Sequence, residues 1–80
     1  MSDEVSNRVR ELLTAHAEHL HGQHIQLEHV LAEIGIDSLE LLSLACDVEG
    51  AFSVQVSDDE LSLTRTMGDL VRLITQKISA

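Results

Sequence analysis

The chain has 80 residues, 44% of them hydrophobic, with 14 acidic against 5 basic side chains and a formal net charge of -9. That length suits a single domain spanning 1–80 with a modest core, and a field of that sign repels nucleic acid and anionic membranes while attracting basic protein surfaces. No run approaches the roughly 18 apolar residues of a membrane span, no signal peptide is seen, and the lone Cys46 has no internal disulfide partner, so a soluble cytoplasmic monomer is expected.

The apolar residues are almost all Leu, Val, Ile and Ala, Phe52 is the only aromatic, and proline is absent. This bias predicts an all-α fold: a small bundle of three main helices plus one short helix, with a long ordered loop after the first. Ser2 is the expected cap of helix 1, with Asp3 and Glu4 at its positive end. Val5, Val9, Leu12, Leu13, His16 and Leu20 follow helical spacing, and Gly22 is the expected stop. From Gly22 to Ile36 neither period holds. Ile25, Leu27, Val30, Leu31 and Ile34 are expected to pin this loop to the core, with a short turn near residues 27–30.

Asp37 is the expected cap of a second helix over 38–51. Leu41, Leu44, Ala45 and Val48 form one apolar stripe, and Leu39, Leu42 and Cys46 form another rotated away from it. One stripe buries a helix in a small bundle; the second implies exposed apolar surface. "SVQV" reads as an extended connector. "SDDE" at 57–60 is a capping box that opens a short third helix. "TMGD" at 66–69 has the same form and opens a last helix built on Leu70, Val71, Ile74 and Ile78.

Charge is distributed unevenly: Arg10 is followed by no Lys or Arg until Arg65, while acidic residues fill the interval. The histidines at 16, 19, 21, 24 and 29 cluster in one third of the chain. His16 and His19 are one helical turn apart, as metal ligands can be, but His16 falls on the apolar stripe and no metal site is expected. Neutral histidines here also offer sensitivity to mild acid. A Ser-His-Asp hydrolase built on Ser38 and Asp37 lacks both a G-x-S-x-G elbow and the enclosed cleft such chemistry needs. Cys46, mid-helix on an apolar stripe, reads as packing or contact surface.

The strongest constellation is Asp37-Ser38-Leu39. A helix start alone explains "DS", but the surroundings add to it. Gly35 permits a tight turn, a helix N-terminus favours phosphate through its free N–H groups, and Leu39 and Leu42 sit beside the serine among Glu40, Asp47 and Glu49. Such a serine is placed to be modified by another protein.

At "EIGIDSLELLSLACDVEGAF" and "VSDDELSLTRTMGDLVRLI" the sequence resembles the acyl carrier protein family, over nearly the whole chain. The resemblance implies that Ser38 receives 4'-phosphopantetheine from coenzyme A through a separate Mg2+-dependent phosphopantetheinyl transferase, with Asp37 and Leu39 completing the motif that enzyme reads. The chain itself would not be an enzyme. It would hold acyl groups as thioesters for loading, transferring or condensing enzymes with basic docking surfaces. The implied docking residues are Leu39, Glu40, Leu42, Cys46, Asp47 and Glu49, and the implied acyl pocket is Leu44, Leu61 and Val71. Ser43 and Gly50 stand where many fatty-acid carriers are acidic, and Val30 where phenylalanine is frequent. These departures point to a stand-alone carrier dedicated to polyketide, lipid-modification or another acyl pathway. A peptidyl carrier and a non-carrier acidic adaptor are the alternative readings.

Overall fold

Val5, Val9 and Leu13 recur at the four-residue interval that aligns side chains on one helix face. In a computed structural model of the protein they are buried along α1, Asp3–His16. The structure describes residues 3–79; the expected Ser2 cap and the Asp3 side chain lie outside what is described. The other helices are α2 (Ser38–Phe52), α3 (Asp58–Ser62) and α4 (Met67–Ser79), and α1 packs on both α2 and α4. Their inward faces meet in one core whose largest fully buried side chains are Leu13, Ile25, Leu44, Met67, Leu70 and Ile74. Each such side chain contributes roughly 1.5–3 kcal/mol through burial. The all-α bundle with one short helix is the architecture expected from composition.

Two expectations need correction. First, α1 ends at His16 rather than running to Leu20. Ala17 is extended (φ -111°, ψ 102°) and a 3-10 turn, Glu18–Leu20, follows. Across the break Ala17 and Leu20 both stay in the core, at 3% and 2% exposure. Second, Leu27 does not pin the loop: it is 45% exposed, as is Ile78 of α4 at 46%. The anchors are Ile25 and Leu31, both buried, with Val30 and Ile34 half-buried.

Backbone bonds hold the rest of this segment. The Leu31 N–H donates to the Arg65 carbonyl (2.9 Å), Met67 N–H to His29 (3.0 Å) and Gly68 N–H to Leu27 (2.8 Å), around an antiparallel bridge between Val30 and Thr66. A second 3-10 turn, Leu31–Ile34, ends at Gly35 in the left-handed region (φ 85°), which glycine enters without steric cost. Sequence periodicity does not register turns this short.

The capping motifs form as read. The Ser57 hydroxyl accepts the Glu60 N–H (3.1 Å) and Glu60 Oε1 accepts the Ser57 N–H (2.9 Å). At α4, Thr66 Oγ1 accepts the Asp69 N–H (3.0 Å), and Asp69 Oδ2 accepts N–H groups from Arg65 and Thr66. Ser53 closes α2 in the left-handed conformation (φ 56°).

Candidate functional site

Asp37 caps α2. Its backbone is extended, and its Oδ1 accepts the Glu40 N–H at 2.9 Å, satisfying one of the free donors of the first turn. With the cap supplied by Asp37, Ser38 is spared that work. Ser38 is exposed, and its hydroxyl has no hydrogen-bond partner among the described residues. Upstream, Ile36 is buried at 3% and its N–H donates to Leu31 at 2.9 Å, so the approach to the cap is anchored in the core.

Beside Ser38, α2 and α3 leave a shallow, mainly apolar cavity of about 230 Å³ lined by Ser38, Leu41, Leu42, Asp58, Leu61 and Ser62. Of the three residues implied for an acyl pocket, only Leu61 lines it. Leu44 and Val71 are buried in the core, at 0% and 4% exposure. Leu41 and Asp58 line the cavity as well. Asp58 was visible only as part of a capping box, a local signal that carries nothing about which helix stands opposite. A larger open groove, about 660 Å³, lies against Val5, Phe52 and Ile78 at the other end of α2.

Along α2, Leu39 (77%) and Leu42 (45%) are exposed with Cys46, giving the second apolar stripe the outward orientation its rotation predicted. The neighbouring acids are more engaged than expected. Glu49 Oε2 accepts the Val56 N–H at 2.7 Å and so fastens the connector between α2 and α3. Asp47 Oδ2 lies 3.4 Å from His16 Nδ1 on α1. Glu40 is half-buried, and its Oε2 is enclosed without a hydrogen-bond partner among the described residues.

Three histidines serve as tethers: His16 as above, His19 Nε2 against the Ile34 carbonyl at 2.8 Å, and His29 Nδ1 accepting the Gln26 N–H at 2.8 Å. His21 and His24 are exposed. Among the described residues no group of three or more potential ligands converges on a metal position.

Residues 7–74 match the family described as "Phosphopantetheine attachment site". The chain is 42% identical over 50 residues to an acyl carrier protein homolog of Mycoplasmopsis pulmonis, covering 62% of this chain and 68% of that one. It is 30% identical over 77 residues to the acyl carrier protein of Caulobacter vibrioides, covering 96% and 97%. The chain belongs to the acyl carrier protein family. The solution structure of the acetyl actinorhodin acyl carrier protein from Streptomyces coelicolor superimposes with a TM-score of 0.79 at 26% identity, over 92% of this chain and 90% of that one.

This acyl carrier protein is therefore a carrier and not an enzyme, and its cofactor is a covalently attached 4'-phosphopantetheine. The residues present fit such a group: an unpartnered surface hydroxyl opens a helix, with a cap already in place and an apolar recess beside it. When bound, the group supplies the thiol on which acyl groups travel. No helix among the described residues is long and apolar enough to cross a membrane.

Proposed function

We propose that Ser38 is the attachment residue and that the chain, acting as one domain free in the cytoplasm, serves a dedicated acyl pathway of the polyketide or lipid-modifying kind. The observation that carries this reading is the Ser38 hydroxyl itself, exposed and without a partner among the described residues because Asp37 does the capping. In the modification, Ser38 Oγ attacks the β-phosphorus of coenzyme A. The bond to the departing adenosine 3',5'-bisphosphate breaks, and the hydroxyl proton passes to a base on the transferase. Asp37 and Leu39 flank the serine as the surface the transferase reads, Asp37 by holding the first turn of α2 and Leu39 by offering exposed apolar area.

Docking of later enzymes rests on Leu39, Leu42 and Cys46, framed by the uncompensated negative field of α2. Apolar contact supplies the docked complex, and the field steers partners with Lys- and Arg-rich surfaces. The recess walled by Leu41, Leu42 and Leu61 is the place for the first carbons of a short acyl chain. Resemblance to an actinorhodin carrier, together with Ser43, Gly50 and Val30, supports the dedicated pathway.

Incubation of the protein with coenzyme A, Mg2+ and a broad phosphopantetheinyl transferase should raise the intact mass by one phosphopantetheine, and Ser38→Ala should abolish the change. An unmodified wild type beside a converted control carrier would overturn the assignment.

A further inference from the structure

Of the three histidine tethers, one touches the turn that leads into Ser38. His19 Nε2 stands 2.8 Å from the Ile34 carbonyl, 15 residues away in sequence. The ring lies against the open side of Gly35: a Cβ there would come within 2.6 Å of His19 Nε2 and 3.3 Å of its Cε1. The base of this tether is firm. His19 is followed by the buried Leu20, with the buried Ala17 two residues before it, and its own carbonyl accepts the Gln23 side-chain amide at 3.3 Å. On the other side of the turn, Ile36 is sunk in the core. The peptide between Ile34 and Gly35 is thus held from outside by an imidazole, and the following residue from inside by packing.

We infer that His19 is a positioning residue for the modification of Ser38. By holding the Ile34 carbonyl it fixes the left-handed turn at Gly35, and with it the direction from which the chain enters the Asp37 cap. The inference rests on Ser38 being the attachment residue. Donation to the Ile34 carbonyl needs a proton on Nε2. His29 differs: its Nδ1 accepts a backbone N–H and must be unprotonated. A target segment ordered before encounter does not have to be ordered during it, so losing the tether raises the KM for the carrier and leaves kcat in place.

The test compares wild type, His19→Ala, His19→Leu and His19→Gln as substrates of one transferase with coenzyme A, read by intact mass. Amide hydrogen exchange of Gly35 and Ile36 in the unmodified proteins is the second readout. Gln carries an N–H close to the reach of Nε2, and Leu restores bulk without a donor. The Ala and Leu variants should show KM raised about fivefold, roughly the worth of one hydrogen bond, with faster exchange at Ile36. Gln should recover both values. Leu as good as wild type would reduce His19 to packing, and Gln as impaired as Leu would deny the hydrogen bond its role; either overturns the inference. Equal KM in all four proteins, with Ser38 converted throughout, would overturn it and leave the attachment site standing. A wild type that gains no mass would remove the attachment site and this inference together.

Discussion

Glu49 and Val56 are joined across the turn from α2 to α3 by a 2.7 Å hydrogen bond from the Val56 N–H to the Glu49 carboxylate. An acid on the rim of α2 is thereby committed to the fold. Glu49→Ala should lower unfolding free energy by about 1.5 kcal/mol, the low end for a hydrogen bond to a charged group at a partly exposed position. The salt dependence of association with a basic partner should hardly change. A variant of unaltered melting temperature but shallower salt dependence would return Glu49 to the docking surface.

Glu40 presents the reverse case. Its Oε2, enclosed and without a partner among the described residues, is a cost to the fold. Glu40→Gln should raise the melting temperature by a few degrees, since about 1 kcal/mol corresponds to roughly 4–8 °C in a domain this small. The same change should slow encounter with partner enzymes at low salt. Calorimetry and stopped-flow association on one preparation read both quantities; a lower melting temperature contradicts the assignment.

Leu42 should separate binding from stability. At 45% exposure, Leu42→Ala should alter stability by no more than about 0.5 kcal/mol while speeding dissociation of a docked enzyme. A large loss of stability would mean that this leucine belongs to the core.

The acid limb of stability should depend on two carboxylates. The Lys77 ammonium bonded to Glu60, followed by the Ser57 N–H, holds the Glu60 carboxyl below its ordinary value. The Arg65 and Thr66 N–H groups do the same for Asp69. Groups depressed on folding contribute stability above their unfolded pKa and lose it as pH falls through the folded value. Melting temperature should therefore decline as pH drops below the ordinary carboxylate range, and Glu60→Gln with Asp69→Asn should flatten that decline. An equally steep acid limb in the double variant would refute the assignment.

Ser53 closes α2 with φ 56°, a conformation glycine adopts more readily. Ser53→Gly should raise unfolding free energy by about 0.5–1 kcal/mol, measurable in urea; no gain would place compensating bonds at the serine.

Local chemistry was readable in the chain. Asp37, Ser57 and Thr66 announce their helices because a cap needs only residues within one turn, and α2 was placed to within one residue of its end. The outward stripe of Leu39, Leu42 and Cys46 followed from the angle between two sets of leucines. What escaped depends on distant partners. Nothing near Glu49 in sequence predicts the Val56 bond, nothing near Ala17 says that the core needs a 3-10 turn there, and the histidines had no visible role until Ile34 and Asp47 stood opposite them. The recess beside Ser38 was not legible for the same reason: helical period gives the faces of α2 and α4 but not the seat of a five-residue α3.

The ties between residues 27–31 and residues 65–68 have a mechanical meaning. They join the long loop and the start of α4 into one rigid frame, to which α2 is fixed by Leu44 and Val48. The short helix α3 stands outside that frame, with Leu61 as its one buried residue and the Glu60–Lys77 ion pair at 2.7 Å as its strut to α4. The recess beside Ser38 therefore has one fixed side, α2, and one sprung side, α3. Its capacity is set less by the core than by how far that strut lets α3 swing.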